Sequence, residues 1–359
     1  MTTDLIVGVS INNLAGRYTL HDLLDFAREA EDLGFDAVWL HDAPLGRRTL
    51  AAWDTTAVLG ALAQVTRRLK LCTGIFQPHL RNPVGVAQAW ATADELSGGR
   101  TIMGVGTGAG KSSLVRREYD AAAALRPGNA IDHHHLYKAR RRMFLESIEL
   151  IRRLWDEDHV TFHGEFFHLD DVTLGLAKPA AKPHPPIVVG AGHYIPAVFG
   201  GSAHHLWTEE RAGKWLPGPI EDAARLGDGW MTVQLAPEDY PAMRDRVLAA
   251  RPPERQVDPF ILAFNCFVNV NQDARVGWEE IRQHLNDFHG PPVPDDLVDC
   301  WALPGPGEAI AERLGRYVDH GVRLFQLVIG SRDELGQMRK LARDMLPALR
   351  KRAGGLSHA

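Results

Sequence analysis

Residues 81–108 read RNPVGVAQAWATADELSGGRTIMGVGTG, and this stretch decides the fold class. Its first half predicts an amphipathic helix, because apolar residues recur there at helical spacing: Val86, Trp90, Ala93 and Leu96. Pro83 suits the first turn of this helix, and the pair Gly98-Gly99 can supply a left-handed stop.

A short buried strand is predicted after the two glycines, at residues 102–105. It opens into Gly106-Thr107-Gly108, a loop almost without side chains. Such a loop lets a flat or phosphorylated ligand come close to the backbone. The stretch thus predicts a helix, a strand and a ligand-binding loop in succession.

The same alternation of strand and helix runs along the whole chain. Eight strands are predicted, at residues 5–10, 37–40, 69–75, 102–105, 187–189, 229–233, 260–270 and 323–329. Eight such units favour an α/β fold of the (β/α)₈ TIM-barrel type, and a doubly wound open sheet is the alternative.

One domain is predicted over residues 1–350, with a last helix that ends before Pro347 and a flexible tail at 351–359. Three stretches interrupt the repeat, at about 108–137, 157–186 and 193–219, and the first and third follow barrel strands four and five. The second contains VTFHGEFFHL, which is typical of a small hairpin.

Composition excludes several classes of protein. The 359 residues carry a net charge of −5, which argues against a nucleic-acid partner. Three widely spaced cysteines suggest neither a disulfide framework nor a zinc site. The N-terminus resembles a first strand, and no apolar run reaches the ~18 residues of a membrane helix. We therefore expect a cytoplasmic protein.

Several local patterns resemble known motifs without matching them. Val105 stands where a P-loop requires glycine, and the G-x-G-x-x-A match at Gly104 closes the fourth strand, whereas the dinucleotide motif follows the first. We interpret residues 133–135, three consecutive histidines, as a solvated loop, so no metal site is predicted. The run from Ala139 to Arg142 is interpreted as the solvent-exposed face of a helix.

Two further strand ends carry candidate site residues. Gly190-Ala191-Gly192 closes the fifth barrel strand and can bind phosphate through backbone N–H groups, with an ordinary tight turn as the alternative. His41-Asp42 follows the second strand and is the best candidate for general acid–base catalysis. The alternative is that both side chains serve only the structure.

Long segments of the chain resemble the bacterial-luciferase-like oxidoreductases. The resemblance rests on FAREAEDLGFDAVWLHD, RLKLCTGIFQPHLRNP, DELSGGR followed by GVGTG, PPIVVGAG, EDAARLGDGW and GEAIAERLGRYVDHGVRLFQLVI. Members use reduced FMN with O₂, or the deazaflavin coenzyme F420 for hydride transfer. The resemblance implies a barrel fold, a homo-oligomer such as a dimer, and a non-prolyl cis peptide that corresponds to Gly74-Ile75.

The resemblance also implies a set of cofactor-binding residues. Those that would line the ring system or its ribityl chain are Ser10, Thr73, Gly74, Ile75, Gly106, Thr107 and Gly108. Those that would approach the phosphate are Gly190, Ala191, Gly192 and His193.

Two departures concern the sugar-phosphate deazaflavin dehydrogenases of this group. They have Asp-His where this chain has His41-Asp42, and glutamate where it has Ala109. We therefore expect a different activity. The main expectation is a monooxygenase that uses FMNH₂ and O₂ on a small organic substrate and receives its reduced flavin from a separate flavin reductase. The alternatives are an F420-dependent dehydrogenase or reductase and a non-catalytic flavin-binding protein.

Overall fold

The computed structural model describes residues 4–11, 18–43, 52–108, 133–176, 178–192, 217–233, 235–289, 292–293 and 295–356. Eight parallel strands close a barrel in the order β1-β2-β3-β4-β7-β8-β9-β11, and β11 pairs again with β1. The barrel strands are β1 (Ile6–Ile11), β2 (Ala37–Leu40), β3 (Lys70–Thr73), β4 (Thr101–Val105), β7 (Ile187–Gly190), β8 (Gly229–Thr232), β9 (Ile261–Val270) and β11 (Leu324–Ile329). The predicted (β/α)₈ barrel is confirmed.

Helices surround the barrel and cover its outer surface. The described helices are α1 (Leu20–Asp32), α2 (Thr55–Val65), α3 (Pro83–Ser97), α4 (His133–Asp156), α5 (Pro217–Leu226), α6 (Tyr240–Ala249), α7 (Ala274–His289), α8 (Asp295–Trp301), α9 (Gly307–Asp319), α10 (Glu334–Lys340) and α11 (Leu346–Leu356). Within the described residues, no helix combines the length and the apolar content that crossing a bilayer requires.

The interior of the barrel is a packed core of its own. Trp39 fills much of it, is fully buried, and donates from its indole N–H to the carbonyl of Phe325 at 3.2 Å. Around it lie Ala37, Cys72, Ile102, Val188, Met231, Ala263 and Leu324. Because every barrel strand is covered on both faces, its sequence is a short apolar run without polar alternation.

The quoted stretch folds largely as predicted. The Asn82 side chain caps α3 by accepting from the backbone N–H groups of Val84 (2.9 Å) and Gly85 (3.3 Å). Gly98 ends the helix with φ 68°. Leu96 was assigned to the buried face and is 49% exposed, so that assignment is wrong.

Two small sheet elements lie outside the barrel. The predicted hairpin is confirmed as β5 (Val160–His163) and β6 (His168–Val172), which pair in antiparallel fashion. β10 (Ala302–Gly305) was not predicted and pairs in parallel with the end of β9.

The end of the chain differs from the prediction. We expected the last helix to stop before Pro347, but α11 runs to Leu356, through part of the expected tail. A π-helical turn, Leu341–Met345, precedes it. Proline has no N–H to donate, and a wide turn just before it lets the helix continue without that bond.

Most of two predicted insertions falls outside the described residues. Nothing is described between Gly108 and His133, or between Gly192 and Pro217. At the far end of the first gap the backbone of residues 133–135 is already helical, so the expected loop there is wrong.

Candidate active site

The mouth of the barrel lies where the parallel strands end, and the predicted cofactor residues gather there. Ser10 is near the end of β1, Gly74 and Ile75 follow β3, and Gly106 follows β4. The peptide between Gly74 and Ile75 is cis, as the resemblance implies.

A surface formed by two glycines and one isoleucine lies at the centre of this mouth. A Cβ atom added to Gly106 would lie 2.2 Å from Cδ1 of Ile75, and one added to Gly190 would lie 3.4 Å from Cγ2 of Ile75. The two glycines and Ile75 therefore form one surface, and a side chain at Gly106 would displace Ile75. A flat ring can lie against such a surface, so these residues fit a flavin or a deazaflavin.

A recess beside Gly190 suits an anion. It has a volume of about 50 Å³ and is lined by residues that include Thr107, Arg140, Arg141, Pro219 and one carboxylate, Asp222, which accepts from Arg141. Pro219 belongs to the first turn of α5, and the N-terminus of a helix carries partial positive charge. Two guanidinium groups and a helix start therefore converge on a space of the size that one phosphate group needs.

Arg140 reaches this recess from the buried side of α4, where it is only 2% exposed. Its Nε donates to Nε2 of His79 at 3.0 Å, and its Nη2 donates to Oε1 of Gln77 at 3.0 Å. Burial, followed by the charges of Arg140 and Arg81, lowers the pKa of His79 well below its ordinary value, so this ring is neutral.

The run from Ala139 to Arg142 was expected to form a solvent-exposed helix face, and this expectation is wrong for Ala139 and Arg140. Ala139 and Arg140 face inward, whereas Arg142 lies outside and pairs with Glu165. Arg141 lies between these extremes and donates from Nε to Asp222 at 2.7 Å. The sequence could not reveal this, because the partners of Arg140 are more than 60 residues away.

Asp42 is the centre of a buried polar network. Its two carboxylate oxygens each accept a 2.8 Å hydrogen bond from Arg81. The same carboxylate also accepts from the hydroxyl of Thr55 and the backbone N–H of Gln77, both at 3.0 Å. These contacts favour the structural alternative for Asp42, since every oxygen already has two donors.

His41 differs from Asp42, its neighbour in the chain. Its Nδ1 lies 2.9 Å from the carbonyl oxygen of Gly74 and must carry the hydrogen, because a carbonyl can only accept. Burial lowers the pKa of His41, and the bond to Gly74 opposes this only in part. A neutral ring protonated at Nδ1 has Nε2 as an acceptor, which is the form a general base requires.

Two amide side chains at the mouth were not foreseen from the sequence. Gln326 on β11 is buried and donates to the hydroxyl of Ser10 at 2.9 Å. Asn265 on β9 pairs in register with Gln326 and is 9% exposed. Each lies in a mostly apolar strand, where an isolated amide forms no recognisable motif.

The remaining predicted cofactor residues differ in where their polar groups are directed. The Thr73 hydroxyl donates to the carbonyl of Gly104 at 2.8 Å, so this side chain is turned into the sheet. Ala191 uses its N–H and its carbonyl in bonds to Met231 and Trp230. Gly108 and Gly192 have φ values of 72° and 82°, and His193 lies outside the described residues.

The comparison with known families decides the relationship. The family model described as luciferase-like monooxygenase matches residues 6–200, which is more than half of the chain. The chain belongs to the luciferase-like monooxygenase family. Within this luciferase-like family, names and activities differ between members.

Three individual proteins are similar over nearly their whole length. The F420-dependent glucose-6-phosphate dehydrogenase of Amycolatopsis mediterranei (strain U-32) is 34% identical, and the alignment covers 94% of this chain and 96% of the relative. Two solved structures share the luciferase-like fold at 22% identity. One is an F420-dependent secondary alcohol dehydrogenase in complex with an F420-acetone adduct, with a TM-score of 0.72 over 97% of this chain and 99% of the other. The other is the monooxygenase RslO1 from Streptomyces bottropensis, with a TM-score of 0.69 over 96% and 99%.

Proposed function

We propose that this protein is an F420-dependent oxidoreductase. The observation that carries the proposal is the 34% identity to an F420-dependent dehydrogenase over almost the full length of both chains. It supports the alternative of the sequence analysis over the FMN-dependent monooxygenase that was expected first.

The residues at the mouth fit such a coenzyme. Ile75, Gly106 and Gly190 would support the ring, and Thr107, Arg140 and Arg141 would hold its phosphate in the adjacent recess. When bound, F420 would supply a two-electron carrier that accepts or donates hydride. The protein would keep the ring flat against its glycine surface and away from bulk water.

His41 would handle the proton that accompanies hydride transfer. Its hydrogen bond to Gly74 holds the ring next to the predicted coenzyme surface. Its lowered pKa keeps Nε2 able to accept a proton from a substrate hydroxyl near neutral pH. Asp42 would act as a positioning residue, through Arg81 and Gln77, rather than as a proton carrier.

The substrate would be a small organic molecule without a phosphate group. Described side chains on or directly after β8, β9 and β11 are neutral, among them Val233, Asn265, Phe267 and Val328, and the carboxylate beside them, Glu280, would repel a phosphate. Phe288 completes this side and lies 5.8 Å from the His41 ring. The order His41-Asp42 also departs from the sugar-phosphate dehydrogenases, so we infer that glucose 6-phosphate is not the substrate.

The FMN-dependent monooxygenase is retained as the second candidate, because RslO1 has the same barrel. It would require a separate reductase to supply reduced FMN. The same recess would then hold the FMN phosphate, so the choice of cofactor must be measured directly.

Arg141 allows a test of the phosphate recess. Arg141→Gln should weaken F420 binding about tenfold, because a partly buried charge pair contributes about 1–2 kcal/mol. The phosphate-free deazaflavin riboside should lose less than about twofold by the same reasoning. Both constants can be measured by fluorescence titration.

Arg142→Gln is the matched control, since Arg142 is on the same helix but pairs outside with Glu165. It should leave both affinities unchanged. Equal losses for F420 and for the riboside in Arg141→Gln would show that the recess does not hold the phosphate.

A further inference from the structure

A second cavity lies at the opposite end of the barrel, where the parallel strands begin. Its volume is about 280 Å³. Its floor is apolar and belongs to the barrel interior: Ile6, Ile102, Ile261 and Leu324. Ile6 and Ile261 are only half-buried, which shows that the strand starts leave this floor open. Barrel enzymes work at the other end, so the cavity is separate from the proposed active site.

The wall of the cavity is cationic. Lys70, Lys182, His184 and Arg323 line it, and no Asp or Glu is among its described lining residues. Lys70 stands at the start of β3, two residues before the interior residue Cys72, so its side chain points into the barrel. No carboxylate of a described residue lies within ion-pair distance of the Lys70 ammonium group.

Three carboxylates near this end already have partners. Asp228 accepts from Arg152, Arg255 and His184, and Asp36 accepts from Val7 N–H and Arg350. Asp94 accepts from both donors of Thr101 and from the N–H of Ala181. His184 is likewise neutralised by Asp156 and Asp228, so Lys70, which has no ion pair among the described residues, supplies the charge that favours an anion in this cavity.

We propose that this cavity binds a small aromatic carboxylate. The carboxylate group would lie against Lys70, with Lys182 and Arg323 nearby, and the ring would contact the isoleucine and leucine floor. The volume lies at the lower end of the range for ligand pockets, which suits a single ring. An apolar floor without the charges would favour a neutral ligand, and the charges without the floor would favour an inorganic anion.

The test uses 4-fluorobenzoate and fluorine NMR on the full chain saturated with its coenzyme, so that the mouth is already filled. One molecule should bind per chain with a Kd below about 1 mM, which needs only ~0.4 kcal/mol per ligand atom. Neutral 4-fluorobenzyl alcohol and acetate, which lacks the ring, should each bind at least about fivefold more weakly.

Lys70→Met keeps the apolar stem of Lys70 and removes its charge. It should weaken 4-fluorobenzoate binding about three- to tenfold, as expected for one partly exposed charge contact. The control Lys351→Met removes an exposed lysine from α11 and should change nothing. Thermal melting of both variants shows whether each is folded.

Three results would overturn the proposal. They are the absence of saturable binding to the coenzyme-saturated chain, equal affinity in Lys70→Met and Lys351→Met, and binding to the coenzyme-free chain that is lost when coenzyme is titrated in. The last result would place the carboxylate at the barrel mouth.

Discussion

His41 and Asp42 are neighbours in the chain, but their side chains have different partners. Asp42 is surrounded by donors, with Arg81 on both of its oxygens. His41 has its Nδ1–H directed at the carbonyl oxygen of Gly74. The structure thus separates a pair that the sequence offered as one catalytic unit.

This separation predicts opposite effects of two conservative substitutions. His41→Gln should lower turnover by about 10²–10⁴-fold, the usual contribution of a general base, with little change in coenzyme affinity. Asp42→Asn should instead lower the free energy of unfolding by about 2–4 kcal/mol, because it removes two charged hydrogen bonds from Arg81, and the exposed Asp54 at 3.7 Å compensates little for them.

Single-turnover rates and urea unfolding of the two variants test this prediction. Asp42→Asn is the control for His41→Gln, since it alters the adjacent residue and leaves the imidazole in place. Normal turnover in His41→Gln would remove His41 from the chemistry. A large loss of turnover in fully folded Asp42→Asn would instead support the prediction that His41 and Asp42 act together in catalysis.

His184 provides a prediction on pH. Burial by itself would lower its pKa, but hydrogen bonds from the ring to Asp156 and Asp228 raise the pKa to about 9, against an ordinary value of 6.5. A raised pKa in the folded state means that the charged ring stabilises the fold fully below pH 6.5. This stabilisation should be lost as the pH rises from 6.5 through 9.

The measurement is the free energy of unfolding between pH 6 and 10, obtained with urea for the native chain and for His184→Gln. The difference between the two proteins should shrink steadily across that interval. A constant difference would mean that His184 does not carry a proton in the folded state.

At the scale of helices and strands, the buried elements were the predictable ones. β2 has the predicted bounds, residues 37–40, because a short apolar run between polar segments leaves few alternatives. β10 escaped prediction since its four residues contain a proline and a glycine. The assignment of Leu96 to the buried face failed because the last turn of α3 buries Asp94 and Ser97 instead.

In the candidate site, too, some residues could be predicted from the sequence and others could not. The glycine loops at strand ends were visible in the sequence, since glycine without a side chain is itself the signal. Arg140, Gln326 and Asn265 were not, because their roles depend on contacts between distant strands and helices. A lone polar residue in an apolar segment shows its purpose only after the strands have been placed side by side.

The outer faces of α2 and α3 predict self-association. Most of their exposed residues between Trp53 and Leu96 are uncharged, namely Ala57, Gln64, Gly85, Gln88 and Thr92, and the exposed charges Asp54 and Glu95 lie at the two ends of this face. Trp53 is 54% exposed and Leu96 is 49% exposed, so apolar groups border this face at both ends. A depletion of charge around apolar residues is typical of protein interfaces.

We expect this face to form the interface with a second copy of the chain in a homodimer. Thr92→Arg should convert a dimer into a monomer, as measured by sedimentation equilibrium. Gln283→Arg introduces the same charge on the exposed side of α7 and is the control. A monomeric native chain, or a dimer that tolerates Thr92→Arg, would contradict the assignment of this surface.

At the scale of the whole molecule, the barrel closes because strand β11 returns to β1. The alternation of strands and helices predicted this closure but left an open sheet as the alternative. The two ends of the barrel differ in chemistry. Glycines, neutral amides and an anion recess lie at the mouth, and lysine and arginine side chains lie at the opposite end.

The central claim is that the mouth of the barrel is built for F420, and the preference between cofactors tests it most directly. The measurement is an anaerobic equilibrium titration of the purified chain with F420 and, separately, with FMN, each in oxidised and reduced form. The account predicts a Kd for F420 at least about tenfold lower than that for FMN, a difference of ~1.4 kcal/mol. Equal or tighter binding of FMN would contradict it.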